Sequence, residues 1–294
     1  MRITDTGAAR NFLQNVAIQR ERADQLNQQM SSGRKLLRPS DDPLAAQQSL
    51  QTRASLSRND QYSKNTQVAQ SKLENVDSIA DSLQLSIDQA IQLTTQGLSG
   101  STTDSTRTIL STQIQAIKDQ VLSLGNTSIG GEYIFAGSKT DTLPFVSNNG
   151  AVSYSGDSAA VYTRIDDNTL AQTNVNGQEL FMGSKDIFAT LDNIRQALTT
   201  DDATSLRQGL VDLNNALDQT NIVRGHIGAT LDHLQSRSND IQQQDVSLTA
   251  QQSNLEDANI VQTAVQSNQA QVALQASLNA GARILSVSLL DYLK

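Results

Sequence analysis

Across 294 residues, 22 basic side chains stand against 30 acidic ones for a net charge of −8. That balance argues against binding a nucleic acid, and no basic run interleaves with aromatics. Hydrophobic residues make up only 37% and aromatic ones 3%, with glutamine frequent; hydrophobic runs stop at four residues and cysteine is absent. One large globular core, a membrane-spanning helix, the apolar centre of a secretory signal, disulfides and thiolate catalysis are therefore not expected.

Taken in chain order, Phe12, Val16, Ala23, Leu26 and Met30 recur at helical spacing, with Gln19 the one polar interruption. Gly33 stands where a left-handed helix stop is cheapest. Two of the chain's three prolines then fall four positions apart, in "RPSDDP". Pro39 favours an extended residue before it, and Asp42 followed by Pro43 reads as an N-cap with proline at the first helical position. The stretch 30–48 is thus a corner between two helices. From Pro43 to Gly97 no further proline occurs, so a nearly continuous helix of about 80 Å is expected at roughly 1.5 Å per residue.

Within it Leu73, Val76, Ala80, Leu83, Ile87 and Ala90 step by three and four, and Leu110, Ile114, Ile117, Val121 and Leu124 do the same after the loop "GLSGSTTDST". These are coiled-coil-like seams. Seven of the ten aromatic residues fall within 133–188, where "GEYIFAG", "AVSYSGD", "AVYTRID" and "AQTNVNG" are short, β-rich and bounded by Gly or Asn/Asp. They predict a small antiparallel β domain inserted between helical blocks. A last long seam runs through Leu206, Leu210, Leu213 and Leu217 to Ile227, Leu231 and Leu234. Near the C-terminus Ala270, Leu274, Leu278, Leu285 and Leu289 form an amphipathic stretch that mirrors residues 7–30. A lone terminal helix is marginal in water, so the two ends are expected to pair, with neighbouring molecules completing their burial.

The chemistry-bearing residues do not assemble into a catalytic or metal set. His226 and His233 lie seven apart on one helical face, too few for a metal site, and read as surface residues. Ser32 precedes Lys35 at the spacing of a serine-acylase signature whose companion motifs are missing. "GEYIFAGSKT" lacks the Gly-Lys-Ser/Thr order of a phosphate loop. The acid pairs Asp41/Asp42, Asp166/Asp167 and Asp201/Asp202 sit in turns or at helix starts, where capping is their commoner use. No catalytic residue, cofactor or metal site is expected.

"SSGRKLLRPSDDPLAA" at 31–46 closely resembles the N-terminal signature of the bacterial flagellin family, and "SNLEDANI" at 253–260 looks like its C-terminal counterpart. Within that family "GEYIFAGSKTDTLPF" and the closing "SLLDYL" look more like a subunit of the junction between hook and filament than like filament flagellin. Where flagellins commonly read "SDDAAG", this chain has Asp42, Pro43 and Leu44, a departure in the same direction.

The resemblance places Ser32, Gly33 and Arg34 on the family's "SSG-basic" turn, Pro39, Ser40, Asp41, Asp42 and Pro43 on its "SDD" segment, and Glu256 with Asp257 on its C-terminal acidic pair. It implies a mainly α fold: an elongated helical rod with coiled-coil terminal helices and a small inserted β domain. The divisions are 1–43 with 252–294, 44–131 with 184–251, and 132–183. It also implies a non-enzymatic adaptor that meets copies of itself in a ring, a neighbouring hook-associated protein, flagellin and an export chaperone, without nucleic acid or membrane. Delivery to the extracellular flagellum would use type III export without a cleaved signal peptide. A short filament flagellin, or a secreted carbohydrate-binding or hydrolytic module on a rod, are the alternatives.

Overall fold

The computed structural model describes residues 2–148 and 150–292, with side chains for 10–148 and 150–282. Four long helices and three shorter ones dominate: α1 (Arg2–Ser32), α2 (Pro43–Gly97), α3 (Asp104–Gly125), α4 (Gly177–Met182), α5 (Ile187–Thr200), α6 (Ala203–Glu256) and α7 (Ile260–Tyr292). Between α3 and α4 lie β1 (Ser128–Ile129), β2 (Glu132–Tyr133), β3 (Phe145–Asn148), β4 (Ala151–Tyr154), β5 (Tyr162–Arg164) and β6 (Leu170–Gln172), paired in sequence as three antiparallel two-stranded ribbons. The mainly α fold with a small strand-containing domain is the one the periodicities predict, and α2 has the predicted limits, Pro43 and Gly97. No helix among the described residues is long and apolar enough to cross a membrane.

The chain forms two compact units: residues 1–58 with 243–294, and residues 59–242. In the second unit the predicted seams are the core. Leu73, Val76, Ala80, Leu83, Ile87 and Ala90 of α2 are buried, as are Leu110, Ile114, Ile117 and Val121 of α3 and Leu206, Leu213, Ile227 and Leu234 of α6. The aromatic cluster joins them. Phe145 packs on Phe181 with ring centres 5.1 Å apart and on Phe188 at 5.4 Å, and Phe135 meets Phe181 edge-on at 5.2 Å. Asn126, just past α3, holds Phe145 in place by accepting from its N–H (2.9 Å) and donating to its C=O (2.8 Å).

Two acid pairs close elements in this unit. Asp201 ends α5 in the left-handed region (φ 53°) and pairs with Arg107 at 2.9 Å. Asp202 caps α6 by accepting from the N–H of Thr204 and of Ser205. Asp166 pairs with Arg237 of α6 and Asp167 accepts from the Tyr62 hydroxyl of α2, so the turn between β5 and β6 is tied to two helices.

Candidate assembly site

The corner after α1 is built as its residue types dictate. Gly33 takes φ +69°, where a Cβ is strained, and its N–H still donates to Gln29 O at 2.9 Å, so that carbonyl of the last turn is satisfied. Pro39 sits inside a turn closed at both ends: Arg38 N–H donates to Asp41 Oδ2 (2.8 Å) and Asp41 N–H to Arg38 O (3.0 Å). Asp42 is the N-cap, its Oδ1 accepting from Ala45 N–H at 2.9 Å, with Pro43 as the first residue of α2.

Between the two turns the strap 33–35 pairs with the end of α6. Arg34 and Asp257 form an antiparallel bridge, in which Lys35 N–H donates to Glu256 O (2.7 Å) and Ala258 N–H to Gly33 O (2.9 Å). Lys35 Nζ adds a bond to Asn254 O at 2.6 Å. Asp257 accepts from Ser253 Oγ, and Asn259 opens α7 by accepting from Gln262 N–H. Both signature turns, distant in sequence, thus meet.

Under the bridge lies Glu256, its side chain only 4% exposed. Arg53 of α2 grips both carboxylate oxygens, Nε to Oε1 at 2.9 Å and Nη2 to Oε2 at 2.6 Å. Ser49 Oγ also donates to Oε1, Gln252 Nε2 does so at 3.2 Å, and Arg34 stands 3.9 Å away. These bonds, led by that from Arg53, outweigh burial and pull the carboxyl down from 4.5 to about 2. A buried carboxylate is costly unless paired, so Glu256 holds α2 to the α6–α7 corner. Ser49, Arg53, Gln252 and Asn259 were not singled out by sequence reasoning. The spacing of Ser49 and Arg53, one turn apart on the face that buries Ala45 and Thr52, is the only local signal.

The terminal helices pair, α1 against α7. On α1 the inward positions are Phe12, Val16, Gln19, Ala23 and Leu26, all at least partly buried. On α7 they are Thr263, Ser267, Ala270, Leu274, Ser277 and Gly281, also spaced by four and three. Both sets have the heptad period of a left-handed coiled coil. Ala23, Leu26 and Ala270 form its buried cluster, and Ser267 Oγ donates to Asn27 Oδ1 at 2.9 Å. At Gly281 a Cβ would lie 1.9 Å from Phe12 Cζ, so the bare glycine backbone is what seats that ring.

Two expected seam residues fall outside it. Met30, in the last turn of α1, is exposed, and so is Leu278, because the α7 seam passes through Ser277 and Gly281 instead. The side chains of Leu285 and Leu289 lie outside the described residues. Pro39, Ser40, Asp41 and Asp42 are exposed at the corner.

On the far side of α7 from the seam stands a second apolar stripe: Val261 (76% exposed), Val265 (53%) and Val272 (68%). Residues 260–282 carry no charged side chain at all. His226 and His233 are exposed on α6, and no group of three His, Cys, Asp or Glu among the described residues could hold a metal ion.

Residues 3–140 match the bacterial flagellin N-terminal helical region and residues 210–293 the bacterial flagellin C-terminal helical region. Flagellar hook-associated protein 3 of Escherichia coli (strain K12) is 30% identical over 292 residues, which cover 91% of this chain and 92% of that protein. Bacillus cereus FlgL, a crystal structure, is 25% identical with a TM-score of 0.61, over 69% of this chain and 99% of that one. The flagellar junction protein FlgL from Legionella pneumophila shares the fold at 16% identity, with a TM-score of 0.64 over 71% of this chain and all of that one.

Proposed function

The chain belongs to the bacterial flagellin family, and from that membership we propose that it is a structural adaptor of the flagellum, joining hook to filament through its terminal helices. Copies stand in a ring between a hook-associated protein on one side and flagellin on the other. Residues 1–43 with 252–294 form the inner, tube-building part, 44–131 with 184–251 the rod, and 132–183 the small β part. The protein reaches the cell exterior through the flagellar type III apparatus, escorted by a chaperone.

The observation that carries the assembly reading is α7. A helix with one apolar face packs once, whereas α7 has a seam filled by α1 and, opposite it, exposed Val261, Val265 and Val272 on a stretch without charge. A charge-free stretch with a packed seam on one side and exposed valines on the other is suited to burial on both sides. The bridge of 33–35 with 256–258 fixes where α1 ends and α7 starts, which a repeating contact between subunits requires.

The test is Val265→Asp with Val272→Asp. Both side chains are exposed in the monomer, so its thermal melt should shift little, while cells carrying only the variant should make hooks, shed filament subunits into the medium and retain no filament. Normal filaments on such cells would refute the assembly role of α7. Filaments grown by the purified wild-type protein alone would make it a flagellin instead.

A further inference from the structure

The ribbon of β5 and β6 has an open edge. Thr173 N–H donates to Val161 O and Ile165 N–H to Thr169 O, and the register pairs Thr163 with Ala171 between them. Hydrogen-bonded and non-hydrogen-bonded pairs alternate along an antiparallel ladder, so the N–H and C=O groups of Leu170 and Gln172 point away from β5. On the outward edge of β5, Arg164 O is already met by Asn65 Nδ2 of α2 at 2.7 Å. Among the described residues the outward backbone groups of Leu170 and Gln172 have no partner.

That edge borders a groove of about 600 Å³ within the 59–242 unit, with α6 as its other wall. Its size is that of a binding cleft rather than a packing defect. Buried Leu73, Val223 and Ile227 line it with apolar surface, and Leu170 stands exposed at its rim. Glu179 of α4 also lines it, and no hydrogen bond or ion pair among the described residues reaches its carboxylate. The unit as a whole carries 21 Asp and Glu against 11 Lys and Arg.

We propose that this groove receives an extended segment of a different protein, which adds to β6 as a third strand. Its backbone pairs with Leu170 and Gln172, apolar side chains at alternate positions enter against Val223 and Ile227, and a Lys or Arg meets Glu179. Strand addition of this kind draws its affinity from main-chain hydrogen bonds and its specificity from alternate side-chain pockets. A second copy's 59–242 unit is a poor occupant, because two such acidic surfaces repel. The inference does not rest on the junction role.

The probe is the acetylated, amidated peptide Lys-Thr-Val-Thr-Val-Thr-Lys, added to the full-length protein and followed by amide hydrogen exchange and by titration. The Leu170 and Gln172 amides should become protected while the Thr163 and Ala171 amides, already in the ladder, change little. Leu170→Pro removes one outward donor and leaves the ladder to β5 intact, and should weaken binding about five-fold, the equivalent of one net hydrogen bond. Glu179→Gln should weaken it further at low salt and reduce its salt dependence. A peptide N-methylated at alternate residues should not protect the edge. Equal binding by that control, or no protection of Leu170 and Gln172 by the unmodified peptide at millimolar concentration, overturns the proposal. So does protection of those two amides on raising the protein concentration without peptide, which would give the groove to a second copy.

Discussion

Glu256→Gln tests the corner directly. With its carboxyl held at about 2 rather than 4.5, the folded state prefers the ionised form. The difference corresponds to at most about 3 kcal/mol. Arg53 is 45% exposed, so solvent screening brings the usable part to about 1–2 kcal/mol. Because the folded value is depressed, this stability is fully present above about pH 4.5 and is lost as pH falls toward about 2. The substitution imposes the same loss at neutral pH. Amide exchange reads it locally, since the N–H groups of Lys35 and Ala258 close the bridge onto Glu256 O and Gly33 O. At pH 7 both should exchange about 5–30-fold faster in the variant. The wild type, corrected for intrinsic exchange, should lose the same protection between pH 5 and pH 2. Equal protection of the two proteins at pH 7, or a wild-type bridge as well protected at pH 2 as at pH 7, would refute the reasoning.

Other outcomes are equally checkable. Gly281→Leu drives a side chain into the Phe12 ring and should weaken the α1–α7 pair by about 1–3 kcal/mol, seen as lost helicity at lower temperature. Gln219 accepts from Ser184 N–H and donates to Glu179 O and Leu180 O, so Gln219→Ala strands buried backbone groups and should cost about 2–3 kcal/mol in urea unfolding. Arg224→Ala, which removes partly exposed pairs with Asp77 and Asp81, should cost no more than about 1 kcal/mol. The Tyr154 hydroxyl donates to Phe135 O and Asp157 O, and burial, then the Asp157 charge, push it up to about 12. An absorbance titration should leave it un-ionised at about pH 11, where an exposed tyrosine has already lost its proton.

The sequence was most legible where one residue type has one physical use. Asp42 before Pro43 announced the start of α2, Gly33 the end of α1, and the steps of three and four from Leu73 to Ala90 a buried face, all of which the structure contains. The inner face of α7 was legible only in part, at Ala270 and Leu274. Its seam is Thr263, Ser267, Ala270, Leu274, Ser277 and Gly281, small or polar at most positions, so a reading by hydrophobicity settles on Leu278, which is exposed. Small residues let two helices approach closely, and closeness leaves no hydrophobic periodicity to read. Glu256 and Asp257 came from family resemblance, but Arg53 as the partner of Glu256 could not. The two are 203 positions apart, and no local pattern reports a contact across that span.

That span has a consequence for the order of events in time. Lys35 and Asn254, joined at the corner, are 219 positions apart. Closing a free loop of that length costs on the order of 5 kcal/mol, more than a few hydrogen bonds repay. The intervening residues must therefore fold before the corner can close. A chain made or delivered from its N-terminus holds its first helix unmatched for almost its whole length and completes the terminal pair only when its last segment arrives. The surface proposed to meet other copies is then the last part of the molecule to form.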